Sequence, residues 1–418
     1  MPRSASPFTP FGWVDPESVF LHLFADAPHA FWLDAGVDAT SGWSFLGTGR
    51  PDEPSRAMTR SADGPGLVGA SPEEDAEGAP FRGGWVGWIS YEGEPAWVRV
   101  DSLLAFDHAR RRVIAHGDPT LAARAAAAPP APGVAPAPAR GTASARVTPA
   151  RYAELIEACR DRIREGDAYQ LCLTTRFTVP GAMDALDVFR RLRRSSTSHH
   201  AGFVRAGDTA LASASPERFL HVRAGRVHTH PIKGTRRRSP DPATDRALAE
   251  ELRTDAKERA ENVMIVDLMR NDLSRVCEPS TVGVDRLLEV ETYPTVHQLV
   301  SEVSGRLLPG TRVGDLLAAT FPAGSMTGAP KESAMGILAG LEGQPRGVYS
   351  GVFGWVGDDG SADLAMVIRS VVIEPDAAWV GAGGGITWRS VAASEVAEVG
   401  LKARAPLAAL GAEVPPGW

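Results

Sequence analysis

The order of strand-like and helix-like segments is the feature that most restricts the fold of this chain. Runs rich in β-forming residues follow one another with only turns between them, as at 169–179 and at 210–235, where Pro216 and Gly225 mark the turns. Four more such runs follow: LVSEVSGRLL, GVYSGVFGWV, LAMVIRSVVI and AAWVGAGGGITW. Helical patterns stand in separate blocks at 241–276, KESAMGILAGL and SEVAEVGLKARAPLAAL. Because strands and helices do not alternate one by one, we expect an α+β fold rather than a strict βαβ fold.

Composition divides the 418 residues into three parts. Residues 1–118 are typical of short strands and turns, with aromatic-rich pieces at 31–36 and 81–92, and we expect them to form an N-terminal lobe. Residues 119–149 are mostly Ala and Pro and cannot bury enough surface to offset their ordering entropy. We therefore expect an exposed linker or long loop there, partly polyproline II, and a further domain over 150–418.

Local signals define the helix that follows the linker. Thr148 is a suitable N-cap, Pro149 suits the first helical position, and Gly166 closes the pattern. In the block at 241–276, the segment NVMIVDLM (262–269) is apolar nearly all round, which predicts a buried helix.

Charge and cysteine content exclude several classes of protein. Lys and Arg number 44 against 51 Asp and Glu, a net charge of −7, which argues against nucleic acid or an anionic membrane as the main partner. No run of 18 apolar residues is present, and the start, MPRSASPFTPFGW, lacks the apolar core of a signal peptide. Cys159, Cys172 and Cys277 are few, odd in number and without metal-ligand spacing. We expect a cytoplasmic protein without a membrane span or a disulfide scaffold.

Two pairs of glutamates have the spacing of a carboxylate site. Glu258 and Glu261, like Glu395 and Glu398, are three residues apart and share a helix face. Carboxylates facing each other from two helices form the oxygen-only set that Mg²⁺ takes. The alternative is a solvated helix face with ordinary ion pairs to the nearby cations Lys257, Arg259, Lys402 or Arg404.

Two glycine-rich segments and one lysine are further candidates. GSMTGAPK (324–331) and GAGGGI (381–386) fit neither a P-loop nor a Rossmann motif. Their backbone N–H groups could hold an anion such as a carboxylate, or they could be plain tight turns with Pro330 at the first helical position. Lys233, sixteen residues after Glu217, is either a nucleophile or base in a pocket or a solvated surface charge.

Taken together, these segments resemble the chorismate-utilising enzyme family. The matching runs are EGDAYQLCL, SASPERFL, PIKGTR, AENVMIVDLMRNDLSRV, FPAGSMTGAPK, VIRS and AGGGI, in family order over about two thirds of the chain. The resemblance implies an anthranilate synthase component I-like α/β sandwich built around large, mainly antiparallel sheets. It also implies that 150–418 is a chorismate-binding catalytic domain with Mg²⁺-dependent chemistry.

Three positions indicate a branch of this family. Water-adding members carry a lysine base where this chain has Gln170, so the ammonia-using branch is favoured. Anthranilate synthases resemble PIAGT and typically carry His where this chain has Asn262, whereas PIKGT with AEN resembles the aminodeoxychorismate synthases of the 4-aminobenzoate and folate route. Anthranilate synthesis, and a non-catalytic scaffold for a glutaminase, are the alternatives. None of the three cysteines lies on a glycine-flanked turn, so we expect ammonia to come from a separate glutamine amidotransferase subunit.

The resemblance also implies a role for individual residues. Lys233 would be the nucleophile and Glu217 the general acid, held in an apolar pocket that raises its pKa. The metal would be Mg²⁺, held by Glu261 and Glu398 with Glu258 and Glu395 in support. The substrate-binding set would be Gln170, Thr235, Thr327, Gly328, Tyr349, Arg369, Gly383, Gly384 and Gly385, with Tyr349 and Arg369 on the enolpyruvyl carboxylate.

Two regions depart from the family pattern or leave its function open. Asp34 lies in FWLDAG, which resembles a tryptophan-binding segment, although it could equally be a turn residue. Near the C-terminal end, Arg389 stands where the family usually has Asp, and Val396 where it usually has Tyr. These changes leave Glu395 and Glu398 in register but alter their surroundings.

Overall fold

The computed structural model describes residues 8–51, 78–196, 198, 200–293 and 295–418. Residues 1–7, part of the start that lacks a signal-peptide pattern, and 52–77 of the N-terminal lobe lie outside the described residues. Within the described part of the chain the helices are α1 (Pro16–Leu23), α2 (Leu121–Ala126), α3 (Pro149–Glu165), α4 (Ala185–Ser195), α5 (Pro242–Thr254), α6 (Ala256–Ser274), α7 (Val313–Thr320), α8 (Lys331–Glu342) and α9 (Ala392–Leu410). None of these helices is long and apolar enough to cross a membrane.

The strands outnumber the helices in the same residues. They are β1 (Phe8–Gly12), β2 (His29–Asp34), β3 (Trp43–Pro51), β4 (Gly84–Ile89), β5 (Pro95–Asp107), β6 (Arg112–His116), β7 (Gly141–Thr142), β8 (Ser144–Ala145), β9 (Gln170–Pro180), β10 (His200–Ala206), β11 (Thr209–Ser215), β12 (Arg218–Arg223), β13 (Arg226–Thr229), β14 (Ile232–Arg237), β15 (Gly283–Thr292), β16 (Val296–Arg306), β17 (Gly328–Ala329), β18 (Val352–Gly357), β19 (Ala362–Met366), β20 (Ser370–Glu374), β21 (Ala377–Ile386) and β22 (Ala412–Glu413).

The strands form one large network of antiparallel pairs. Strand β2 pairs with β10 and β4 pairs with β18, so strands of the first 118 residues join strands of the later part of the chain. Only the short β7 and β22 pair in parallel among the described residues. The expected α+β fold with mainly antiparallel sheets is confirmed. The division into a lobe, a linker and a catalytic domain stays a prediction.

The sheet separates two hydrophobic cores. Along β2, Phe31 and Leu33 face the first core, while Ala30 and Trp32 face the second core. This alternation follows from the two-residue period of a β-strand, which points successive side chains to opposite faces. Helices α3, α4 and α9 pack on the second core, and α6 and α7 pack on the first.

The Ala/Pro-rich segment is more ordered than its composition predicted. Its first part, Leu121–Ala126, forms helix α2, in which Leu121 and Ala125 are buried. Ala and Leu have the highest helix propensities, which favours a helix in this short run. The helix packs against α1 and thereby buries Leu121 and Ala125. Residues 127–140 have no regular secondary structure.

The capping signals of α3 are confirmed. The hydroxyl oxygen of Thr148 accepts a hydrogen bond from Arg151 N (3.1 Å), and Gly166 ends the helix with a left-handed φ of 90°. The helical block at 241–276 is two helices, and the carboxylate of Asp255 caps the second one.

One local prediction was wrong, and one open alternative is excluded. Helix α6 is not buried all round, because only one face packs on the sheet and Val263 remains 44% exposed. The strand predicted over AAWVGAGGGITW is confirmed as β21, so the alternative of a tight turn at GAGGGI is excluded; the small residues there let other groups approach closely. In GSMTGAPK, Pro330 is the N-cap of α8 and Lys331 is its first residue.

Candidate active site

Three neighbouring strands form the floor of the site. Strand β9 lies between β17 and β21, with Leu171 opposite Gly328 on one side and Cys172 opposite Gly385 on the other. Strand β20 covers β21 only as far as Trp379. Gly383 to Gly385 therefore lie on a strand edge that no other strand of the described residues pairs with, where backbone groups can meet a ligand.

Gln170 lies at the centre of this floor and is fully buried. A Cβ atom on Gly385 would come within 2.4 Å of its Nε2, so only glycine leaves room for the amide at that position. Neither Nε2 nor Oε1 of Gln170 has a hydrogen-bond partner within the described residues. A buried amide without partners is costly, and this one is free to bind a polar group of a ligand.

Lys233 is brought to the site by an irregularity in β14. The register of β14 against β16 shifts at Gly234, which has a φ of 72°. A Cβ atom there would come within 3.0 Å of Glu258 Cγ, so glycine allows the strand to approach α6 closely. Lys233 forms no ion pair or side-chain hydrogen bond within the part of the chain that the structure describes. Its charge nevertheless acts on Glu217, Glu261 and Glu398.

Glu217 occupies the bend between β11 and β12 and is 9% exposed. Burial raises the pKa of its carboxyl group, and the charge of Lys233 and a hydrogen bond from Ser325 oppose that rise only in part. The predicted direction of the pKa shift is therefore found. A carboxyl group in this state holds its proton to higher pH than a free one and can donate it.

The four glutamates of the predicted metal site come together between α6 and α9. Lys257 Nζ lies 3.5 Å from Glu395 Oε1 and 3.9 Å from Glu261 Oε1. Burial lowers the pKa of Lys257, but the charges of all four glutamates outweigh it and the net pKa is raised. The members of the cluster are Glu258, Glu261, Glu395 and Glu398.

The members of this cluster differ in their surroundings. Burial raises the pKa of both Glu258 and Glu261, and Glu261 Oε1 has no hydrogen-bond partner among the described residues. Burial also acts to raise the pKa of Glu398, but Lys402 Nζ at 2.7 Å more than offsets it and the pKa is lowered. Glu395 is almost fully buried and accepts a hydrogen bond from Ser390 Oγ (2.7 Å).

Tyr349 and Arg369 lie near the same strand edge. A Cβ atom on Gly381 would come within 2.1 Å of the Tyr349 ring, so the ring packs directly on a glycine of β21. Burial raises the pKa of Tyr349 far above its usual range and keeps the phenol neutral. Arg369 has a left-handed φ of 52°, and its guanidinium has no ion pair or hydrogen bond within the described residues. A strained backbone that presents an unpaired cation is typical of a ligand site.

Comparisons with known proteins identify the family. Residues 37–408 match the profile of the chorismate binding enzymes. The chain belongs to the chorismate-binding enzyme family. The resemblance found in the sequence is thereby confirmed.

Relatives of this chorismate-binding chain have two different names. A Streptomyces pristinaespiralis protein named aminodeoxychorismate synthase is 38% identical over 95% of this chain and 64% of its own length. Anthranilate synthase component 1 of Streptomyces coelicolor is 40% identical over 79% of this chain and 73% of its own length. The chain thus spans slightly less than two thirds of the first of these proteins. Identity alone does not choose between the two names.

A solved structure supports the fold. The crystal structure of anthranilate synthase component I from Streptococcus pneumoniae superposes with a TM-score of 0.71 at 28% identity. It covers 96% of this chain and 92% of that chain. The expected anthranilate synthase component I-like architecture is confirmed.

Three predicted residues have surroundings that the motifs did not indicate. Thr235 is exposed on β14, and the hydroxyl of Thr327 donates to the carbonyl of Ala323 (3.1 Å). Asp34 ends strand β2 and is buried, with Arg193 Nε at 2.6 Å and Trp32 Nε1 at 3.1 Å. Its carboxylate is thus bound internally, and a role in a tryptophan pocket stays a prediction.

From the sequence, Lys257 and Lys402 were expected only as ordinary ion-pair partners of a solvated helix face. Lys257 and Lys402 do form such pairs with members of the glutamate cluster, and Lys402 also donates to the carbonyl of Gly383 (2.8 Å). Ser325 and Ser390 were not predicted at all. A signal was present for Ser325, which lies inside the motif FPAGSMTGAPK used for the resemblance, whereas Ser390 lies in the segment that departs from the family pattern.

The two departures from the family pattern have simple structural outcomes. Arg389 lies over the ring of Trp388 at 5.0 Å, and Trp388 is 64% exposed. Val396 is buried in the second core. Neither residue interrupts the hydrogen bond from Ser390 to Glu395.

Proposed function

We propose that this chain aminates chorismate at C4, giving 4-amino-4-deoxychorismate from chorismate and ammonia, as the large subunit of a 4-aminobenzoate synthase. The observation that carries this proposal is the position of Lys233. Its amine has no ion pair or hydrogen bond in the described residues. Its charge acts on Glu217, whose pKa is raised by burial, and on Glu261 of α6 and Glu398 of α9. Gln170 occupies the position of the lysine base of water-adding relatives, which favours ammonia as the incoming group.

The glutamate cluster fits a divalent cation of the magnesium type. Its donors are carboxylate oxygens only, they come from two helices, and Glu261 Oε1 is buried without a hydrogen-bond partner in the described residues. Glu261 and Glu398 would hold the ion, with Glu258 and Glu395 close by. When bound, Mg²⁺ would supply positive charge for the ring carboxylate of chorismate.

The remaining residues would bind and orient the substrate. Arg369 has a free planar guanidinium that suits bidentate binding of the enolpyruvyl carboxylate, and the neutral Tyr349 hydroxyl can donate to the same group. The open edge of β21 at Gly383 to Gly385 and the turn at Thr327 and Gly328 would contribute backbone groups. Gln170 would bind a further polar group of the substrate.

The acid and the nucleophile would act in two additions. The lone pair of Lys233 forms a bond to C2, both ring double bonds shift, and the C4–oxygen bond breaks as Glu217 delivers its proton to the departing hydroxyl, which leaves as water. Ammonia then forms a bond to C4, both double bonds shift back, and the C2–nitrogen bond breaks to restore Lys233. The proton released by the incoming nitrogen returns to Glu217. In this scheme Lys233 supplies the attacking lone pair, and Glu217 supplies the proton for the departing hydroxyl.

The cysteines of the chain support a separate source of ammonia. All three are free and buried, and burial raises the pKa of Cys159 to about 12 and that of Cys277 to about 11. Burial also raises the pKa of Cys172. A buried thiol of this kind is a poor nucleophile, whereas a glutaminase needs a reactive thiolate. The partner would therefore be a glutamine amidotransferase.

One experiment tests both the product and the nitrogen source. The purified chain is incubated with chorismate, Mg²⁺ and either ammonium or glutamine, and the products are separated and identified. We expect 4-amino-4-deoxychorismate with ammonium and no turnover with glutamine unless an amidotransferase subunit is added. Anthranilate as the product would establish the alternative activity, and no turnover with ammonium would favour a scaffold. Glutamine-dependent turnover by the pure chain would contradict the proposed partner.

A further inference from the structure

A second group of metal-ligating side chains lies on the opposite face of the sheet from α6. His228 is on β13, Asp285 on β15 and Glu302 on β16, and these three strands are neighbours through β16. Ser301 points to the other face, where its hydroxyl donates to Asn262 of α6. Because neighbouring residues of a strand point to opposite faces, Glu302 points away from the glutamate cluster of the proposed active site.

The donor atoms of this group are close enough for one ion. One ligand atom from each of His228, Asp285 and Glu302 lies within 4.8 Å of the other two. His228 Nδ1 is 2.9 Å from Glu302 Oε1, and His230 Nε2 is 3.4 Å from the same oxygen. Tetrahedral Zn²⁺, with bonds of about 2.0–2.2 Å, separates its ligands by about 3.3 Å. The two histidine–glutamate distances bracket that value.

Neighbouring groups hold the donors in place. Arg286 Nε lies 3.2 Å from Glu302 Oε2, while the other carboxylate oxygen, Oε1, is the one near the two histidines. Ser304 Oγ donates to Asp285 Oδ2. The rings of His228 and His230 are stacked, with an interplanar angle of 17°, since both project from the same face. Such supporting contacts orient metal ligands in known sites.

The histidines also have ring nitrogens that the folded chain leaves available. The Nδ1 atom of His230 is buried with no hydrogen-bond partner in the described residues. The side chains of His228 and Glu302 are 24% and 18% exposed, so an ion from solvent can reach them.

The charges around the group select the class of ion. Arg226 and Arg286 lie beside the two carboxylates and compensate much of their negative charge. Mg²⁺ and Ca²⁺ need several uncompensated oxygen ligands, whereas Zn²⁺ and Co²⁺ bind imidazole nitrogen strongly. The composition of the site therefore favours a borderline transition-metal ion over a hard one.

We infer that His228, Asp285 and Glu302, with His230 as the nearest fourth donor, form a binding site for a divalent transition-metal ion of the zinc type. This site is distinct from the carboxylate site proposed for Mg²⁺.

The test uses untagged full-length protein freed of metal by a chelator. Co²⁺ and Zn²⁺ are titrated in the presence of excess Mg²⁺, and binding is followed by calorimetry and by the visible ligand-field absorption of Co²⁺. We expect one equivalent to bind, with the intense bands of tetrahedral Co²⁺, and Zn²⁺ to remove them. We also expect Zn²⁺ to raise the unfolding temperature, because an ion that binds only the folded state stabilises it.

Four variants assign the bound ion to the site. His228→Ala and Asp285→Asn should each weaken Zn²⁺ affinity at least about tenfold. His22→Ala, an exposed histidine of α1, and Glu398→Gln should leave the affinity unchanged. No binding by the wild type, binding that both His228→Ala and Asp285→Asn retain, or binding lost in Glu398→Gln would overturn the inference. Asp285 is 39% exposed, so its variant remains informative if His228→Ala does not fold.

Discussion

Two buried charge clusters in this protein are built in opposite ways. In the first, Glu17 and Asp34 of the N-terminal lobe meet arginines of α4: Arg190 Nε is 2.8 Å from Glu17 Oε1, and Arg193 Nε is 2.6 Å from Asp34 Oδ2. Arg193 also lies 4.7 Å above the ring of Trp32. In the second, between α6 and α9, the closest cation to Glu261 and Glu395 is Lys257, at 3.5–3.9 Å, and Glu261 Oε1 lacks a hydrogen bond.

The difference separates structure from function. A fully paired buried cluster cannot bind a ligand without breaking ion pairs, so the arginine cluster serves to join α4 to α1 and β2. A cluster with unpaired acceptors is costly in the empty protein and is kept where a ligand completes it. Four changes, taken from the largest expected effect to the smallest, can break or sharpen this comparison.

Removal of the proposed nucleophile should have the largest effect. Lys233→Ala is expected to reduce formation of 4-amino-4-deoxychorismate on the order of a thousandfold or more, measured as the initial rate with ammonium. Wild-type enzyme held with chorismate and no ammonia should carry an adduct on Lys233, detectable by mass spectrometry of its peptides. Arg237→Ala, at an exposed position on the same strand, is the matched control. An unchanged rate and product in Lys233→Ala would leave this lysine as a binding residue at most.

Breaking the arginine cluster should cost stability rather than chemistry. Arg193→Met leaves Asp34 buried without its main partner and is expected to lower the free energy of unfolding by about 3–5 kcal/mol. The measurement is denaturant unfolding, with exposed Arg151→Met as control. For the protein that remains folded, the dependence of activity on Mg²⁺ should not change. A stability loss below about 1 kcal/mol would show that the cluster is not structural.

Removing a charge from the glutamate cluster should lower activity and leave the stability of the protein unchanged. Glu261→Gln and Glu398→Gln are each expected to lower activity about a hundredfold, partly restored by raised Mg²⁺, because each removes an anionic ligand. Glu258→Gln and Glu395→Gln should lose less. Since burial raises the pKa of Glu261, its replacement should not reduce the stability of the metal-free protein. Normal Mg²⁺ dependence in Glu398→Gln would contradict the ligand assignment, and Glu154→Gln, on the exposed face of α3, is the control.

The smallest effect concerns pH and Glu217. Burial raises the pKa of its carboxyl group in the folded protein above the ordinary value of 4.5, so the folded state binds this proton more tightly than the unfolded state. The stabilisation from this group is complete below 4.5 and is lost as pH rises through the folded-state pKa. Glu217→Gln has no carboxyl group to ionise at this position, so it does not lose this stabilisation as pH rises. The free energy of unfolding of the variant, relative to that of the wild type, should therefore increase with pH. A difference that stays constant from about pH 4 to pH 8 would contradict the buried acid.

Local rules account for the parts of the fold that were predicted correctly. Thr148 and Gly166 bound α3 because capping depends on a few adjacent atoms. The α+β class followed from the order of strand and helix patterns. The identities of Lys233, Glu217 and the four glutamates came from resemblance to a family, and their roles stay predictions until they are measured.

Tertiary packing decided the rest. Val263 is exposed because only one side of α6 meets the sheet, and the partner of the glycine-rich strand, β9, was not apparent from the sequence. Lys257 of α6 reaches Glu395 of α9 only because the folded chain brings these two distant segments together. Likewise, His228, Asp285 and Glu302 belong to three strands whose adjacency no spacing in the sequence reveals. The sequence determined elements whose energies are local. Contacts between distant segments depend on strand pairing and packing, which only the folded chain brings about.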